Sequence, residues 1–195
     1  MNAALILMVL IVVSFVYAIS IYNRLIQSRN RYKNAFSQID VQMTRRFDLI
    51  PNLVETSKAY MHHERETLQA VIAARQGAIN GLHKAAKDPS NARAMNELSK
   101  AEQGLSGALG RLFAVSESYP DLKANENMLQ LMEELTTTEN KVTFSRQAFN
   151  DSVMEYNILR EAFPSNLIAG QFKFMEAQLL QIEDVAKRVV PRVAF

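Results

Sequence analysis

Residues 1–22 read MNAALILMVLIVVSFVYAISIY and contain no Asp, Glu, Lys, Arg or His. The first charges after them are Arg24, Arg29, Arg31 and Lys33. Wound as an α-helix, the segment from Ala3 to Ile21 is roughly 29 Å long, close to the hydrocarbon thickness of a bilayer. It fits a single crossing. A cleaved signal peptide would carry cations before its apolar run, and none stand here. A core helix of a soluble protein would show a polar stripe, whereas Ser14, Tyr17 and Ser20 are scattered around the helix. With all flanking cations on the C-terminal side, the positive-inside rule places the N-terminus outside and the remainder in the cytoplasm. In a bacterial cell that means a single-pass protein of the inner membrane. The absence of cysteine agrees with a reducing compartment.

Beyond the span, about 170 residues suffice for one domain with one core, and 48% apolar with 22% charged residues reads as globular. Lys and Arg number 22 against 20 Asp and Glu. The excess gathers beside the membrane, where anionic headgroups attract it. A basic stripe with interleaved aromatics is lacking, so nucleic acid is not an expected partner.

Working outward, the pattern is helical nearly throughout. Neither Gly nor Pro precedes Pro51, and Tyr32, Phe36, Ile39, Met43 and Ile50 recur at helical spacings, so the anchor is expected to continue as a stalk to about Arg46. Residues 47–51 then read as a turn or sharp kink, because Pro lacks an amide donor; Asp48 is the candidate N-cap there. A second helix should run to residues 84–88, with Val54, Met61, Leu68 and Leu82 on one heptad line and Ser57, Val71 and Ala78 beside it. A third is expected over 92–117, where Gly104, Gly107 and Gly110 read as sites of close helix packing. The longest, over about 125–162, carries Met128, Leu135, Val142, Phe149 and Tyr156 seven apart. Residues 163–166 stop it, and a shorter helix is expected over about 166–189. The fold class is therefore all-α: a transmembrane helix continuous with an antiparallel four-helix-type bundle, plus a short C-terminal helix and an apolar tail. The expected division is 1–22 anchor, 23–188 bundle and 189–195 tail.

The residues themselves resemble the LemA family of bacterial membrane proteins. The likeness lies in Ile39-Asp40-Val41-Gln42, Arg45-Arg46, the string from Asp48 to Val54, His63-Glu64, Ala74-Arg75, Tyr119-Pro120, Leu122 to Asn125, Glu139-Asn140, Arg146, Asn150 and Tyr156-Asn157. It extends through Phe163-Pro164 to Ala169 and spans nearly all of the region after the anchor. The resemblance implies an anchored helical bundle and brings no established activity. LemA-like genes often neighbour genes for zinc metalloproteases, which the resemblance offers as one class of partner.

Catalytic chemistry is hard to find. A di-iron carboxylate bundle needs Glu-x-x-His motifs on two helices, yet His62, His63 and His83 all fall on the one helix expected after Pro51. His62 or His63 with Glu66 could pinch a metal only at an exposed face, and a solvated polar face is the ordinary reading. No catalytic residue, cofactor site or metal site is assigned. The polar residues near the apolar seams, Asp40, Arg45, Arg46, Asp48, Glu64, Arg75, Glu139 and Arg146, are expected to satisfy one another and fix register. The tail residues Val189, Val190, Val193 and Phe195 flank Pro191 and are assigned to assembly with a neighbour. Two functions follow: a non-enzymatic scaffold that self-assembles as a homo-oligomer and organises or shapes the bilayer, or an adaptor presenting partners to a membrane protease or other envelope machinery.

Overall fold

The computed structural model describes residues 2–181, and in it the first helix, α1 (Asn2–Lys58), runs unbroken for 57 residues. Residues 3–17 lie wholly exposed and apolar apart from Ser14, in the part of α1 long and apolar enough to cross a membrane. From Ile21 onward the same helix is a core element: Leu25, Tyr32, Ile39, Arg46 and Leu53, seven residues apart, are all buried. Phe36, Met43, Ile50 and Ser57 form the adjoining buried line. The exposed apolar segment and the first bundle helix are therefore one continuous helix.

The turn expected at residues 47–51 does not form, and Pro51 sits inside α1. Proline removes the amide that the carbonyl of Phe47 would have accepted four residues on, which normally kinks a helix. Here the Arg75 Nε–H donates to that carbonyl at 2.7 Å. A guanidinium from the next helix thus replaces the missing bond with a charge-assisted one. Asp48 is correspondingly no N-cap; it is an exposed residue within α1.

Five further helices occupy the described residues: α2 (Arg65–Lys87), α3 (Ala92–Ser116), α4 (Pro120–Lys123), α5 (Glu126–Glu161) and α6 (Ser165–Gln171). No strand occurs among them. Asn91 caps α3 by accepting from the Ala94 amide, and Asn125 caps α5 by accepting from the Met128 amide, each at 3.0 Å. Helix α5 lies antiparallel along α1. Asn125 at its start donates to the Tyr60 hydroxyl, and Glu155 near its end accepts from Arg31. Helices α2 and α3 form an antiparallel hairpin, with α2 against α1. The hairpin closes most tightly at Gly81, where a Cβ would meet the Leu98 Cα at 3.2 Å. Gly104, Gly107 and Gly110, expected at helix contacts, face open space instead.

Two other expectations are corrected. His62 and His63 lie in the loop between α1 and α2, so only His83 is helical. The helix expected over 166–189 ends at Gln171, after which residues 174–181 form no helix and run as a strap alongside α5 in the opposite direction. Side-chain amides hold that strap. Asn157 pairs with both the amide and the carbonyl of Ala177 at 3.1 and 2.9 Å, and Asn150 does the same to Leu180 at 2.9 and 3.3 Å. Seven helical residues rise about 10.5 Å and three extended residues about 10 Å, so the two spacings match. The assigned tail residues Val189, Val190, Val193 and Phe195 lie outside the described residues.

Candidate functional site

The polar feature that the fold builds most deliberately is a charged layer inside the bundle. On α1, Arg46 interrupts the line Leu25–Tyr32–Ile39–Arg46–Leu53; on α3, Glu102 interrupts Met95–Glu102–Leu109–Ser116, again seven apart and buried throughout. The two interruptions meet. Arg46 Nη1 donates to Glu102 Oε2 at 3.0 Å, with the side chains 4% and 1% exposed. Its Nη2 donates to Ser106 Oγ at 3.3 Å and stands 3.7 Å from the carboxylate of Glu139, which opens to solvent. One guanidinium thus ties α1, α3 and α5.

Glu102 Oε1 has no hydrogen-bond partner among the described residues. Burial pushes the Glu102 carboxyl above its usual range; Arg46 opposes the shift, Glu139 adds to it, and Arg146 opposes it from further away. A buried carboxylate paired with a cation that cannot release its proton is poorly suited to proton transfer. Any register of α1 on α3 that separated the two would leave a charge unpaired in apolar surroundings.

Nearer the apolar end of the bundle, Tyr32, Phe36, Phe149 and Tyr156 pack edge to face or tilted at 5.2–6.4 Å between centroids. Burial, reinforced by Tyr156, pushes the Tyr32 hydroxyl up to about 12, so it stays neutral. Burial likewise raises Tyr156, whose hydroxyl donates to the Met175 carbonyl at 2.8 Å. Tyr32 serves packing, and Tyr156 both packing and the strap.

The remaining polar residues singled out from sequence disperse. Arg45 and Asp48 are exposed, and Asp40 and Arg146 are half-buried. Glu64 is half-buried at the start of α2, within 3.4 Å of both the Thr67 and Tyr119 hydroxyls. Arg75 serves the Phe47 carbonyl. Of the eight, the structure brings together Arg46 and Glu139. Glu102, their missing partner, escaped the sequence reading although its heptad position beneath Met95 and above Leu109 marks it as inward-facing. Asn150 and Asn157 also went unassigned, and their seven-residue spacing becomes meaningful only beside the extended strap.

The surface depressions are open grooves. One of about 640 Å³ runs between α2 and α3, floored by Ala70, Ala74, Gly104, Gly107 and Ala108. Another of about 460 Å³, by Val54, Met61, His62, Leu68 and Ile72, lies at the end remote from the apolar segment. Among the described residues no three His, Cys, Asp or Glu side chains gather to hold a metal.

Comparison with known proteins places this architecture. A family model described as LemA family matches residues 35–195. The chain is 26% identical to Magnetosome protein MamQ 2 of Paramagnetospirillum magneticum, over 92% of this chain and 72% of that protein. It is also 26% identical to Magnetosome protein MamQ of Magnetospirillum gryphiswaldense, over 68% of this chain and 54% of that one. Protein LemA of Metamycoplasma hominis is 24% identical over 85% of this chain and 71% of its own length.

Proposed function

The chain belongs to the LemA family, and from that premise we propose that it is a non-enzymatic, membrane-anchored helical scaffold that self-assembles and organises or shapes the bilayer beneath it. The observation that carries this reading is the single helix α1, exposed and apolar over residues 3–17 and burying one face in the bundle core from Ile21 to Ser57. Because no linker separates the two parts, a tilt or displacement of the bundle is transmitted to the span. Rigid coupling suits a body that imposes geometry on a membrane. It serves a freely recruiting adaptor less well, since flexible tethers widen the reach for partners. The interior supports the reading too, being filled by side chains and a register-fixing ion pair.

The bundle is assigned to the cytoplasmic face of a bacterial inner membrane, on the cations Arg24, Arg29, Arg31 and Lys33 that follow the span. Contacts between copies are assigned to the apolar tail Val189, Val190, Val193 and Phe195, because weak contacts repeated among membrane-confined copies act at high effective concentration. Extraction in mild detergent followed by light scattering tests the proposal. A uniform multiple of 22.1 kDa that shrinks on deletion of residues 191–195 is expected. A monomer, or a particle that co-purifies with a different protein and loses its mass when that protein is removed, would favour the adaptor.

A further inference from the structure

The anchor's free apolar length ends just where the bilayer it is meant to cross does. Residues 3–17 are exposed on every side, Ala18 is half-buried and Ile19 and Ser20 are exposed again, so the free helix of 3–20 rises about 27 Å, whereas a hydrocarbon core of about 30 Å takes some 20 residues. To fill that thickness the span must extend to about Tyr22. There, however, α1 is already covered: Ile21 is buried, Leu25 is wholly buried, and Tyr22 packs its ring against Phe172 at 4.8 Å and Phe174 at 5.7 Å. What covers it is α6 and the start of the strap, which therefore lie at the depth of the span's end.

Those covering residues have the composition of the depth at which they lie. In a chain of 22% charged residues, 162–172 contain no Asp, Glu, Lys or Arg. Helix α6 turns Ser165 and Ala169 inward, onto the bundle. Its other side and flanks present Phe163 at 80% exposure, Leu167 at 63% and Phe172 at 57%. Exposed apolar side chains of that size, contiguous with an apolar span, have a partner at hand in the bilayer. Charges bracket them: the Arg160–Glu161 ion pair precedes the segment and exposed Lys173 follows it, with Arg24 exposed on α1 and Arg29 over the Phe174 ring at 5.3 Å. Apolar side chains below and cations above is the arrangement of an element lying in the boundary between acyl chains and anionic headgroups.

We infer that residues 162–172, with α6 at their centre, are a second membrane-contacting element, a foot that inserts Phe163, Leu167 and Phe172 into the lipid interface beside the span. The inference rests on the anchoring of α1. It adds a second point of attachment: with a span and a foot in the same leaflet, the bundle is fixed in rotation about α1 as well as in position.

The chain has no cysteine, so single-cysteine variants of the full-length protein can carry an environment-sensitive fluorophore in vesicles of phosphatidylcholine and phosphatidylglycerol. Val9→Cys reports the span, Leu167→Cys the foot, and Leu129→Cys an exposed site at the remote end of α5. Shallow brominated lipids should quench the label at residue 167 several-fold more than at residue 129, and aqueous iodide should show the reverse order. Lipid quenching at residue 9 with residue 167 behaving like 129 would overturn the foot while leaving the anchor standing. Residue 167 shielded from both quenchers would overturn it in favour of a protein contact. Absence of lipid quenching at residue 9 would remove the anchor and the foot together.

Discussion

Replacing Arg75 should matter only because residue 51 is proline. In the native chain the Phe47 carbonyl has lost its helical donor and accepts instead from Arg75 Nε at 2.7 Å in half-buried surroundings. Hydrogen bonds to charged groups contribute about 1.5–3 kcal/mol, and an abandoned buried carbonyl costs a similar amount. Arg75→Met keeps most of the aliphatic packing, so it should cost about 1.5–3 kcal/mol, or a fall of roughly 3–12 °C in melting temperature for a domain of this size. Pro51→Ala restores an amide at residue 51 and removes a penalty of up to about 3 kcal/mol. In that background the Phe47 carbonyl regains its own donor, and Arg75→Met should cost less than about 1 kcal/mol. The coupling in the four-member cycle, about 1–2 kcal/mol, is the quantity of interest. It is read from thermal melts of the full chain in mild detergent, followed by far-ultraviolet circular dichroism. Equal costs of Arg75→Met in both backgrounds would refute the compensation and leave the unbroken passage of α1 through Pro51 without its cause.

Four further outcomes are expected. Arg46→Met alone strands Glu102 and should cost about 3–5 kcal/mol, whereas adding Glu102→Leu should recover most of it in the same melts. The raised Glu102 carboxyl fixes a sign with pH: the folded state holds its proton more tightly than the unfolded one. Stability from this group is therefore full below its ordinary value of 4.5 and lost as pH rises through the raised value. The melting temperature of the native chain relative to Glu102→Gln should accordingly decline as pH climbs from about 4.5, and an increase would mean that Arg46 outweighs burial. Gly107→Ala, which meets open space, should stabilise by about 0.5–1 kcal/mol, while Gly81→Leu should destabilise strongly because the Leu98 backbone blocks it. Asn157→Ala with Asn150→Ala should speed hydrogen exchange at the amides of Ala177 and Leu180 while leaving that of α5 core amides such as Phe149 unchanged.

Heptad spacing made burial legible further than it made helix boundaries legible. Val54, Met61, Leu68 and Leu82 are all buried although they belong to α1, a loop and α2, because the inward direction persists across the connection. Pro51 misled for a physical reason: its local effect is to break a helix, and the group that prevents this stands 24 residues away in sequence. The glycines of α3 misled similarly. Helical spacing of small residues is compatible with close packing, but only Gly81 is pressed against a neighbouring backbone. Of the charged layer, Arg46 was legible as a polar residue on a seam, while Glu102 was hidden among the many acidic residues of a charged helix. The strap reads in sequence as part of a helix over 166–189. It is held through its own backbone by Asn150 and Asn157, so its side chains did not need to announce it.

Scaffolding by a rigidly anchored, self-associating bundle is tested most directly by imaging the full-length chain in lipid vesicles by electron cryomicroscopy. Copies are expected as a uniform homo-oligomer or ordered array, with α1 running unbroken from the bilayer into each bundle and the bundles in one orientation relative to the membrane. Isolated single copies at all protein densities, or bundles turned at random about a bent α1, would contradict it.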